Sequence, residues 1–166
     1  ITMATDLVYH PHVGKKYQDD LKPLFKSLSK EQHELVYSYI ASLQERSLVE
    51  ENFPHVYSTI KSWGHKTLAL TAQLAMNYHE VDTVERRLRE LSSFKINFED
   101  SFSHVLPFWL HETPKFLGGI PHYRQGVFFS HGTINSKGSV LQAFLKASGY
   151  TPKKVVFLDD MPENVR

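Results

Sequence analysis

"GVFFSHGTINSKGSVLQAFLKAS", residues 126–148, decides the fold class. Its first five residues, 126–130, are a short apolar run with β-branched and aromatic side chains, which reads as a buried strand. Turn-forming residues follow. From Lys137 the spacing switches to three and four, with Val140, Leu141, Phe144 and Leu145 on one face of a helix over 137–148 that Gly149 and Pro152 close. The same grammar recurs on both sides. "KTLALT", residues 66–71, reads as a buried strand ending at Thr71, and a helix from about Asp82 places Val84, Leu88 and Leu91 inward and Arg86, Arg87, Arg89 and Glu90 outward. "KKVVFL", residues 153–158, is the continuous apolar kind of strand found in parallel sheets. Strands alternating with helices predict an α/β fold: a Rossmann-like parallel sheet with helices on both faces.

The first third has a different texture. Residues 17–63 read as helical: Ser29 and Gln32 have the spacing of a capping box ahead of Leu35, Val36, Tyr39, Ile40 and Leu43. Asn52 caps a second helix with a Val56, Ile60 and Trp63 stripe that Gly64 ends. Residues 94–125, rich in aromatics and prolines, suggest loops with a hairpin and little regular helix. Residues 1–65 thus form a helical, cap-like segment and residues 66–166 an α/β core, together one structural unit.

Composition excludes several classes. The 166 residues are 41% hydrophobic, enough for one domain with a real core. With 19 Lys and Arg against 18 Asp and Glu, no basic footprint of a nucleic-acid binder is present. Absence of cysteine removes disulfides, thiolate metal sites and cysteine nucleophiles. No apolar run approaches the roughly 18 residues of a membrane span, and no signal peptide is visible. The expectation is a soluble protein, cytoplasmic or exported, of unspecified oligomeric state. Ile1 without an initiator Met and a stop just after a strand look like trimmed edges of a longer protein.

In open parallel sheets, ligands bind beyond the carboxyl ends of the strands. That rule selects Thr71, the loop around Lys137, and the adjacent Asp159 and Asp160. Each has an ordinary reading: a strand residue, a solvated charge, and a helix N-cap ahead of Pro162. Adjacent carboxylates at a strand tip nevertheless repel unless a cation or donors receive them. A hydroxyl, an ammonium and a carboxylate pair on one crevice suit a phosphate beside a magnesium ion. Among ten histidines, His10 and His12 lack a clear third ligand, while His131, beside Ser130, lies near the expected crevice as either a substrate contact or a plain loop residue. Phe102, Phe108, Trp109, Phe116 and Tyr123 are expected to pack a satellite core.

In order and spacing, "LALTA", "NSKGSVLQAFL" and "VVFLDDMPENV" resemble motifs two, three and four of the haloacid dehalogenase superfamily of phosphohydrolases, in the style of a poorly characterised bacterial branch. The resemblance covers most of the chain. It implies that Thr71 hydrogen-bonds a transferring phosphoryl group and that Lys137 neutralises the phosphate and the nucleophile. It further implies that Asp160, with Asp159, ligates Mg2+, Asn164 assisting. The substrate is then a small phosphorylated molecule, and the helical segment is a cap between motifs one and two. Motif one, Asp-x-Asp-x-Thr, which supplies the attacking aspartate, does not occur in these residues; Asp19 and Asp20 lie in a polar helical context. The resemblance places the missing strand and nucleophile just upstream of "ITMATD", so this stretch alone would not turn over. The alternative is a catalytically silent binding protein that keeps the fold.

Overall fold

A computed structural model describes residues 3–4, 19–20, 23, 25–43, 46–78, 81–112, 119–131 and 136–159. Strands β1 (Met3–Ala4) and β2 (Ser47–Leu48) flank helix α1 (Lys30–Leu43), and α2 (Phe53–Ser62) leads to β3 (Ala69–Thr71). A small hairpin, β4 (Asn77–Tyr78) with β5 (Val81–Asp82), precedes α3 (Thr83–Ser93) and a 3-10 turn, Glu99–Phe102. Strands β6 (Phe108–Trp109), β7 (His122–Arg124) and β8 (Val127–Phe129) follow, then α4 (Lys137–Ser148).

The main sheet has the order β3-β8-β7-β6 and is mixed. Only β3 and β8 run parallel, with Thr71 opposite Phe129; β7 is antiparallel to both β8 and β6. The expectation of a wholly parallel sheet is corrected here. The cause is local: Gln125 at φ 48° and Gly126 at φ 76° form a two-residue turn with both centres left-handed, the geometry that folds β7 back on β8. The hairpin expected within 94–125 is β6 with β7, closed against β8 by that turn.

Side-chain alternation on β8 divides the core in two. Val127 and Phe129 face a cluster with Tyr57 of α2, Val84 and Leu91 of α3, Ile96 and Phe98. Phe128 faces the other way, into Phe102, Tyr123, Val140 and Phe144, the last two from α4. Helices therefore cover both faces of β8, and each fully buried aliphatic or aromatic side chain contributes about 1.5–3 kcal/mol. Tyr57 joins α2 to the sheet directly; its hydroxyl donates to the Asn97 carbonyl and lies 3.3 Å from Thr67 Oγ1.

Helix termini follow local chemistry. Ser29 and Gln32 form the reciprocal box, with Ser29 N–H donating to Gln32 Oε1 at 2.9 Å and Gln32 N–H to Ser29 Oγ at 3.2 Å. Asp82 caps α3 by accepting from the N–H groups of Val84 and Glu85. Ser136 caps α4 through the Ser139 N–H, and Gly149 ends it at φ 66°.

Several expectations fail. Asn52 makes no side-chain cap bond, and the buried face of α2 carries Tyr57 while Val56 and Trp63 stand exposed. On α1, two members of the expected stripe, Leu35 and Tyr39, are exposed. The all-helical reading of the first third missed the β1–β2 ladder. Finally, the strand expected over 153–158 is not formed: among the described residues nothing pairs with it, and Val155, Val156 and Leu158 are exposed, since apolar composition cannot make a strand without a partner for its backbone groups.

Candidate functional site

Thr71 ends β3, half-buried, as the sequence indicated. Its carbonyl accepts twice from Ser130, from N–H at 2.8 Å and from Oγ at 3.1 Å, and its Oγ1 accepts the Gln73 N–H at 3.2 Å. The loop that continues from it, 72–76, is pinned along its length. His131 Nε2 accepts the Ala75 N–H at 3.0 Å, and Thr83 Oγ1 donates to the Leu74 carbonyl at 2.7 Å and accepts from the Met76 N–H at 3.0 Å. Gln73 donates to the Thr83 carbonyl and accepts from Arg87 Nε at 2.7 Å. The region around the hydroxyl is thus preorganised by backbone and side-chain bonds before any ligand arrives.

His131 is fully buried and left-handed, φ 58°. With Nε2 accepting, Nδ1 carries the proton, and among the described residues Nδ1 has no hydrogen-bond partner. Burial first, and the nearby His122 second, push its pKa down to about 4, so it stays neutral and keeps accepting at physiological pH. Its place is behind the loop, as a brace.

Lys137 is the first residue of α4, the helix that follows the carboxyl end of β8. Its ammonium pairs with Asp159 Oδ2 across 22 residues of sequence. The Asp159 side chain is 4% exposed and that of Lys137 is 17% exposed, so water screens this pair far less than a surface one. A lysine at a helix N-terminus opposes the helix dipole by roughly 0.3–1 kcal/mol, and the carboxylate offsets that cost. Thr71 ends one of the two parallel strands, and Lys137, which pairs with Asp159, begins the helix that comes after the other. Asp160 and Asn164 lie outside the described residues.

The donor chemistry for a hard divalent cation is carboxylate oxygen, which Asp159 offers; among the described residues no three His, Asp or Glu side chains converge into a ligand set. Among them, too, no helix is long and apolar enough to cross a membrane. The family model described as "Protein of unknown function (DUF2608)" matches residues 4–166. The chain belongs to DUF2608. Comparison with curated proteins and with solved structures gave no match.

Sequence reasoning missed the support beneath this DUF2608 site. Arg87, assigned to the solvent face of α3, is 7% exposed, with its NH1 3.1 Å from Glu90. Burial, aided by Arg46, lowers its pKa to about 10, which leaves it charged at neutral pH. Of the aromatics expected in a satellite core, Phe102, Phe108 and Tyr123 pack with Phe128 and Phe144, and Phe116 lies outside the described residues. Trp109 does not join them.

Proposed function

We propose that this chain is a fragment of a magnesium-dependent phosphomonoester hydrolase with a haloacid dehalogenase-like core, its attacking aspartate supplied from outside these 166 residues. The observation that carries the reading is the Lys137–Asp159 pair. Two positions singled out for phosphate and metal chemistry, far apart in sequence, meet in a poorly hydrated contact beside the strand ends. Thr71 presents a hydroxyl on a braced loop at that same end. In this role Thr71 donates to a phosphoryl oxygen and Lys137 neutralises its charge. Asp159, with Asp160, would hold Mg2+, which when bound supplies further charge neutralisation at the phosphoryl group. The substrate is a small phosphorylated molecule.

Free backbone and exposed carbon also support it. Among the described residues nothing pairs with the other edge of β3, and Val155, Val156 and Leu158 are exposed although their run has strand composition. A further strand at that edge, bearing the Asp-x-Asp-x-Thr signature, would satisfy both. The reaction would then be attack of an aspartate on a phosphomonoester and hydrolysis of the aspartyl-phosphate by water. Absence of the signature from these residues favours a second reading, a binding protein that keeps the fold without turnover. The polypeptide extended upstream of Ile1 decides between them. Hydrolysis of p-nitrophenyl phosphate that requires magnesium and stops in EDTA is the expected result; phosphate binding with no metal-dependent hydrolysis would establish the silent binder.

A further inference from the structure

Trp109 is 47% exposed at the carboxyl-end side of the sheet, where β6 pairs Trp109 opposite His122. Its indole is held by the His122 ring, centroids 3.9 Å apart and planes tilted by 32°. Trp109 also lines two adjoining cavities of about 460 and 370 Å³, which share Ala75, Met76, Asn77 and Trp109. The larger one continues over Ile120 and His111. The larger cavity is mostly apolar, with the Asn77 carboxamide and the His111 imidazole as its polar side chains, the make-up of a small-molecule site, while the smaller one adds the polar groups of Asp82, His122 and Arg124.

Two features select the occupant. One wall is Ala75 and Met76, the far end of the braced loop that starts at Thr71, so the groove and the place proposed for the phosphoryl group are built on the two ends of one short segment. The floor is a large aromatic ring that packs only in part against protein, and its flat exposed surface matches a flat ligand better than a flexible or branched one. We infer that this groove receives the leaving group of the phosphomonoester, and that the leaving group is a planar aromatic ring stacked on Trp109. The inference rests on the proposed phosphohydrolase reading for the phosphate end alone; the aromatic subsite stands on Trp109 and its cavities.

Isothermal titration calorimetry of the chain in magnesium with 1-naphthyl phosphate, glycerol 2-phosphate and 1-naphthol tests it. The aryl ester is expected to bind about tenfold more tightly than the glycerol ester. Trp109→Ala should bring that ratio close to one, and Trp109→Phe should retain most of it. Lys137→Met should weaken both esters equally and leave the ratio intact. Equal affinity for the two esters, or a ratio that survives Trp109→Ala in a variant with unchanged circular dichroism, overturns the subsite. Should neither ester bind through Lys137, the phosphate reading fails. In that case Trp109-dependent binding of 1-naphthol still upholds the aromatic subsite, and its absence overturns it.

Discussion

His131 accepts the Ala75 N–H through Nε2 from a fully buried, left-handed position, and so ties the loop after β3 to the end of β8. The bond exists only while the imidazole is neutral. Its folded pKa of about 4 lies below the roughly 6.5 of an unfolded histidine, so between those values the unfolded chain binds more protons. The stability this neutrality contributes is complete above about pH 6.5 and is lost as pH falls toward 4, a loss of at most about 3 kcal/mol. His122, whose pKa burial also lowers, acts in the same direction. Urea midpoints at pH 7.5 and 4.5 measure the drop. His131→Asn, which retains a side-chain acceptor and tolerates the left-handed backbone, should show a smaller one; an equal drop in both proteins would remove His131 as its source.

Gly126 and Gly64 separate two costs that are often merged. Both are left-handed, at φ 76° and 79°. A Cβ at Gly64 meets nothing within 4 Å, whereas at Gly126 it collides with the Phe98 backbone. Gly64→Ala should therefore cost about 1 kcal/mol from backbone strain alone. Gly126→Ala adds the displacement of Phe98 and the loss of the turn joining β7 to β8, for a total of more than about 3 kcal/mol. Thermal unfolding of the two variants ranks them; similar melting temperatures would mean that the Phe98 segment yields without cost.

Helix α2 shows why apolar spacing found the helix and misplaced its face. Val56, Ile60 and Trp63 satisfy the three-to-four spacing, yet the sheet receives Tyr57, because a phenol can bury its ring while its hydroxyl reaches the Asn97 carbonyl. Tyr57→Ala should destabilise by about 3–5 kcal/mol, and Tyr57→Phe by about 1, while Val56→Ala stays within about 0.5 kcal/mol of the parent. Chemical denaturation of the three reads this directly. A larger loss at Val56 than at Tyr57 would restore the face that periodicity chose.

Legibility followed range. Strand β3, strand β8, the Ser29–Gln32 box, the Asp82-led helix and the Gly149 stop are set by residues within a few positions of each other, and all could be read. The mixed order of the sheet depends on a Gln-Gly turn whose backbone state composition does not reveal. The burial of Arg87 depends on Gln73, 14 residues away, which supplies the acceptor that lets a guanidinium face inward. At the candidate site, Thr71 could be named because it ends a strand and Lys137 because it opens the helix after one, whereas Asp159 was named from a strand that does not form and is held instead by Lys137. The His131 brace and the exposed Trp109 required the fold.

The Lys137–Asp159 pair is where sequence and geometry meet, and a double-mutant cycle weighs it. Removing either partner leaves the other charge poorly hydrated, so Lys137→Met and Asp159→Asn should each cost roughly 2 kcal/mol, less than for a fully buried pair because Lys137 keeps some contact with water. The two should not add: replacing both should cost less than the sum by about 1 kcal/mol or more. Function separates them further. On the proposed phosphohydrolase reading, Lys137→Met in the polypeptide extended upstream should lower turnover by about 10²- to 10³-fold, the cost of one preorganised donor to a developing anion. Asp159→Asn should instead raise the magnesium concentration needed for half-maximal rate. Additive stabilities, together with a Lys137→Met enzyme of parental rate, would reduce the pair to an incidental contact and leave the phosphoryl site without its cation.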